Sequence, residues 1–130
     1  MSKNVFISST FKDLEAFRKT VIEAVRQLGA VDVSMEHFGA RDDRPKDECL
    51  KLITQSDVFV GIYAYRYGYI PDGDSISILE AEYEAATSAG KPRLIYIIKE
   101  GVQWPPELTE VGPSAQKLLM FKKRLLARHI

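Results

Sequence analysis

Asp57-Val58-Phe59-Val60-Gly61-Ile62-Tyr63 decides the fold. An apolar run that does not alternate with polar residues, rich in β-branched and aromatic side chains, reads as a strand covered on both faces. It is the expected central strand of a parallel sheet. Before it, Pro45 fits the first turn of a helix over Lys46–Gln55, with Cys49, Leu50 and Ile53 inward. After it comes a loop, Arg66–Ser75, containing Gly68, Pro71, Asp72 and Gly73. A further helix is predicted from about Ser77 to Ala89, ended by Gly90-Lys91-Pro92, and Leu94–Ile98 reads as another strand. Upstream, Asn4–Ser8 is a short buried strand. Ser8-Ser9-Thr10 are expected to cap a helix whose first turn holds Asp13. Leu14, Phe17, Val21, Val25 and Leu28 give that helix its apolar face, and Gly29 stops it. Val31–Met35 alternates as a second strand. Glu36–Arg44, with His37, Arg41, Asp42 and Asp43, reads as a solvated loop and a candidate rim or self-association element.

This β-α-β-α-β-α-β order implies an α/β three-layer sandwich of flavodoxin-like type, with a parallel sheet of four to five strands. Short crossovers favour the order 2-1-3-4(-5), with the switch point between the first and third strands. Beyond Ile98 the alternation stops. Lys99–Gly112 is irregular, with Trp104-Pro105-Pro106. Ser114 to about Arg128 is helical, with Leu118, Phe121 and Leu125 on one face and Lys122, Lys123, Arg124 and Arg128 on the polar side. The expected division is a domain over 1–112 and a C-terminal helix over 113–130, which packs on that domain or leads to a further domain of a longer parent protein.

Length and composition narrow the function. A chain of 130 residues holds one core rather than two, and 45% apolar residues fit a globular protein. Eighteen basic residues balance 18 acidic ones, so neither nucleic acid nor an anionic membrane is expected as a partner. No apolar run approaches the roughly 20 residues that span a bilayer. A lone cysteine, Cys49, and the absence of a signal peptide pattern suggest a cytoplasmic setting. Cys49 lies among Leu50, Leu52 and Ile53 and reads as core. With only His37 and His129, no metal site is expected. No phosphate-binding glycine loop is present.

Ligands of open α/β sheets bind at the carboxyl ends of the strands, at the switch point. There the topology gathers Ser8, Ser9, Thr10 and Phe11, the Arg66-Tyr67-Gly68 turn, and the start of the helix that opens at Ser77. Hydroxyls and helix N–H groups can hold ribose or phosphate. Arg66 can pair with phosphate, and Tyr63, Tyr65, Tyr67 or Tyr69 can stack on a base. Alternation sends Tyr63, Tyr65 and Tyr67 to one face, with Tyr63 expected in the core. On the helix, Leu79, Tyr83 and Ala86 form an apolar stripe with Glu82 beside it, while Glu80 and Glu84 share a flank. A carboxylate placed like Glu82 can stabilise an oxocarbenium-like sugar, attack an anomeric carbon or orient ribose. It can equally be an ordinary helix glutamate favoured by the helix dipole.

Val5-Phe6-Ile7-Ser8-Ser9-Thr10-Phe11-Lys12-Asp13-Leu14, Met35-Glu36 with Phe38, Ser56–Ile62, Arg66-Tyr67-Gly68, Ser77–Tyr83 and Gly90-Lys91-Pro92, in this order, resemble a TIR-like family of unknown function. That family occurs at the N-terminus of STAND/NACHT-type NTPases. The resemblance covers nearly the whole chain and places the fold beside TIR domains and nucleoside 2-deoxyribosyltransferases. In the transferases a catalytic glutamate precedes a Gly-Lys-Pro turn by the eight residues that separate Glu82 from Gly90. Glu84 stands where a small residue is expected, which counts against deoxyribosyl transfer. In enzymatic TIR domains a glutamate on the matching helix supports cleavage of the nicotinamide–ribose bond. The resemblance thus implies an NAD-cleaving N-glycosidase serving an NTPase system of antiphage defence or innate immunity. Glu82 would be catalytic, and Ser8, Ser9, Thr10, Phe11, Arg66, Tyr67, Gly68, Ser77 and Tyr83 would form the substrate site. NAD would be a substrate and no cofactor is implied. Self-association would complete the site. The rival expectations are a non-catalytic interaction module with an exposed Glu82, and nucleoside base exchange of the transferase kind.

Overall fold

A computed structural model describes residues 3–34, 45–99 and 101–129. The expected loop over 36–44, and Met35 as the end of the second strand, lie outside the described residues. Four parallel strands, β1 (Asn4–Ser8), β2 (Val31–Ser34), β3 (Val58–Tyr63) and β4 (Arg93–Ile97), form one sheet in the order β2-β1-β3-β4. The helices are α1 (Glu15–Gln27), α2 (Lys46–Gln55), α3 (Ile78–Ser88) and α4 (Pro113–Arg128). This is the three-layer α/β sandwich of flavodoxin-like order that the sequence implies. Ile7 and Ser8 of β1 lie opposite Val60 and Gly61 of β3, so the switch point opens beyond these residues.

Crossover handedness dictates the layers. The step from β1 to β2 runs one way along the sheet, and the next two steps run the other way. Right-handed connections therefore put α1 on one face and α2 and α3 on the other. Two cores follow. Phe6, Phe59, Tyr63 and Tyr67 pack against α2, α3 and α4. Val5, Ile7, Val60 and Ile62 pack against Leu14, Ile22 and Val25 on the α1 side. The Tyr63 ring meets Phe121 edge-on at 5.1 Å and lies back over Gly61, where a Cβ would fall 2.5 Å from its hydroxyl. Glycine is thus required there by space rather than by backbone conformation. Through Leu118, Phe121 and Leu125, α4 packs into the first core. Each such buried side chain contributes about 1.5–3 kcal/mol before ordering costs.

Several sequence expectations give way. Ser8 ends β1, and Leu14 is the N-cap of α1 with no side-chain cap, so the Ser8-Ser9-Thr10 hydroxyls do not cap that helix. Their hydrogen bonds go to other partners, described below. The buried face of α1 is Leu14, Arg18, Ile22 and Val25, while Phe17 is 46% and Leu28 86% exposed. Phe17 instead stacks on Trp104 at 6.3 Å at the rim of the layer. Tyr65 parts from Tyr63 and Tyr67 and packs with Trp104 on the α1 side, because β3 ends at Tyr63 and strict alternation ends with it.

Candidate functional site

The C-terminal end of β1 delivers Ser8, which is fully buried and hydrogen-bonded into α3. Its Oγ donates to Glu82 Oε1 at 2.8 Å, joining residues 74 apart in sequence. Glu82 is wholly buried. The next residue, Ser9, donates to the Thr10 carbonyl at 2.9 Å and accepts from Nη1 of Arg18. Arg18 is 1% exposed, so a cation and a carboxylate lie buried on two consecutive serines. Charges in such positions persist only with compensating partners, and the serine hydroxyls supply part of that compensation.

Thr10 turns toward the loop, where its Oγ1 donates to Asp13 Oδ1, and Arg66 Nη1 lies 3.9 Å from the same oxygen. Gly68, at φ +94°, packs between Thr10 and the start of α3: a Cβ there would meet Thr10 Cγ2 at 3.5 Å, Leu79 at 3.7 Å and Ser77 at 3.9 Å. Positive φ and close approach together make glycine the fitting residue. Phe11 is half-buried and its carbonyl accepts from the Leu14 N–H at 3.2 Å. Ser77 is the N-cap of α3, accepting from the Glu80 N–H at 3.2 Å.

A second network lies on the flank of α3. Tyr67 donates to Glu80 Oε1 at 2.6 Å and accepts from the Ser77 N–H at 3.2 Å. Arg124 of α4 donates to Glu80 Oε2 and lies 3.4 Å from Glu84 Oε1, so the shared flank expected for these glutamates is where α4 docks. Burial, and then the hydrogen bond to Glu80, push the Tyr67 hydroxyl up to about 12. Tyr67 is thus a neutral donor at physiological pH.

The structure therefore links Ser8 to Glu82 and Thr10, through Asp13, to Arg66, and sets Gly68 against Thr10 and Ser77, with Ser8, Ser9, Thr10, Ser77 and Glu82 all buried. It corrects the placement of two others. Tyr67 has no exposed surface on which a base could stack, because its ring is part of the core. Tyr83 is buried with its hydroxyl 2.7 Å from His129 Nε2 and 3.2 Å from Arg93 Nη1. Since Arg93 begins β4, Tyr83 points to the opposite end of the sheet from the crevice. Burial, then the charges of Arg93 and Arg128, hold His129 below its ordinary value. Glu82 and Glu80, at 0% and 7% exposure, are not the solvated helix glutamates that surface composition favours. Arg18 was not among the expected site residues, although a charge between Leu14 and Ile22 on an apolar stripe is a readable signal of a buried ion. Among the described residues no three His, Cys, Asp or Glu side chains gather as a metal site.

The chain is 28% identical to telomerase protein component 1 of Mus musculus over 137 residues, which cover 91% of this chain and 5% of that protein. It thus spans a small part of that relative's length. No solved structure gives a significant match. Residues 4–130 match the model of a family described as domain of unknown function DUF4062, and the chain belongs to that family.

Proposed function

We propose that this domain is an N-glycosidase acting on a nucleotide of the NAD type, with Glu82 as its working carboxylate. The carrying observation is the Ser8–Glu82 hydrogen bond at the β1/β3 switch point. A carboxylate fixed there by a hydroxyl can stabilise the positive charge that develops on ribose as the C–N bond breaks. The leaving nicotinamide departs with the bonding electrons. Water adds to the anomeric carbon and releases a proton, giving ADP-ribose. Ser9, Thr10 and Arg66 would hold ribose and phosphate oxygens, and the resemblance to TIR domains supports the same assignment. Glu82 is covered in the closed structure, so the reaction requires elements over it to part. Self-association is the proposed trigger, in keeping with a role as effector of a STAND-type defence NTPase.

The test is release of nicotinamide and ADP-ribose from NAD at rising protein concentration, with wild type, Glu82→Gln and Glu82→Ala. Turnover that rises faster than protein concentration and vanishes in folded Glu82→Gln supports the reading. No turnover by wild type, even fused to an oligomerising partner, refutes it.

The second reading is a non-catalytic assembly module, although the exposed Glu82 expected of it is absent, since Glu82 is fully buried. It predicts that Glu82→Gln lowers stability and leaves association with partners unchanged wherever the fold survives. Base exchange of the transferase kind remains a third proposal, checked by adding an acceptor base to the same assay.

A further inference from the structure

A groove of about 590 Å³, whose lining does not include Glu82, runs between α4 and the end of β4. Its volume falls in the range of small-molecule sites, which are mostly apolar with a few polar groups. Ile97, Leu118, Leu119 and Leu126 form its apolar wall. Leu119 and Leu126, one heptad apart on α4, are 46% and 49% exposed, an arrangement that burial in the domain's own core does not explain. The rim is basic, with Lys99, Lys122 and Lys123 lining the same groove. Lys122 Nζ is held 4.8 Å from the centre of the Tyr65 ring, at the groove wall. Among the described residues the one carboxylate in the lining, Glu110, is turned to the backbone, accepting from the Tyr67 N–H at 3.0 Å. An apolar trough beside the exposed ammonium groups of Lys99 and Lys123 suits an apolar body carrying a negative head. A second copy of the chain would instead bring the same lysines against each other.

We propose that this groove binds a single-chain amphiphile with an alkyl tail and one carboxylate. The tail lies along Leu119 and Leu126, and the carboxylate meets the ammonium groups of the rim. The site is independent of the glycosidase reading. Dodecanoate is the probe, titrated calorimetrically into the full chain below its micelle concentration, with dodecyltrimethylammonium as the cationic control. The expected result is one saturable site for dodecanoate and none for the cation. Lys99→Glu with Lys123→Glu should weaken binding about tenfold, as two partly exposed ion pairs are reversed. Leu119→Ser with Leu126→Ser should abolish it. All four residues are exposed, so these variants keep the fold. Equal binding of the cation, indifference to both double variants, or binding only to phosphatidylglycerol vesicles and not to free dodecanoate would overturn the proposal.

Discussion

Tyr67→Phe removes one oxygen and tests the network that ties α3 to α4. The hydroxyl donates to Glu80 Oε1 at 2.6 Å and accepts from the Ser77 N–H at 3.2 Å. A hydrogen bond to a charged group is worth about 1.5–3 kcal/mol, and an orphaned buried N–H costs a further ~1–3 kcal/mol. Greater apolar burial of phenylalanine offsets part of this, and Arg124 still holds the other Glu80 oxygen. A net loss of about 2–4 kcal/mol is expected at pH 7. The pH dependence gives an independent check. The folded-state value of Tyr67 is raised from 10.0 to about 12, so its contribution is complete below pH 10 and is lost as pH rises through about 12. The phenylalanine variant lacks this loss. At pH 11 the gap between the proteins should narrow by about 1 kcal/mol, the other tyrosines cancelling in the difference. Urea melts of both proteins at pH 7 and pH 11 measure this. A variant within 0.5 kcal/mol of wild type at pH 7, or a gap that does not narrow, would refute the account of Tyr67.

Three further outcomes follow from the same structure. Gly61→Ala places a methyl 2.5 Å from the Tyr63 hydroxyl, and should cost about 1–3 kcal/mol in a denaturant melt, most of it recovered in a Tyr63→Leu background. Arg18→Met leaves the buried Ser9 hydroxyl without the guanidinium that donates to it, and should cost about 1–3 kcal/mol in a denaturant melt. His129 is held below its ordinary 6.5, so its neutral form carries stability that is complete above that pH and declines as pH falls below it. His129→Gln should flatten this acid limb, visible as a smaller difference between melts at pH 7.5 and pH 5.5.

The sheet order was legible because it follows from element order and crossover handedness, which need only the apolar runs and their punctuation. The register of α1 was not. Leu14, Phe17, Val21, Val25 and Leu28 form a good helical stripe, yet the buried stripe turns to include Arg18, because a guanidinium with buried partners can replace an apolar contact. The site was half legible. Topology alone gathered Ser8 to Thr10, Arg66 and Gly68, but which side chain bonds to which depended on contacts made across long stretches of sequence. Tyr67 and Tyr83 illustrate the remaining difficulty. An aromatic just beyond a strand or on a helix can face a ligand or the core, and here the carboxylate of Glu80 holds the Tyr67 hydroxyl and the ring of His129 that of Tyr83.

The 74 residues between Ser8 and Glu82 have a consequence for how the chain matures. A nascent chain that has completed β1, α1 and β2 holds Ser8 on an open strand edge, with the charge of Arg18 nearby and its eventual carboxylate partner not yet made. The last parts of the crevice arrive with α3, after both neighbours of β1 are available. Ribosome-bound intermediates would therefore carry an unfinished polar cluster, and the Ser8–Glu82 contact forms only once α3 has been made and has docked.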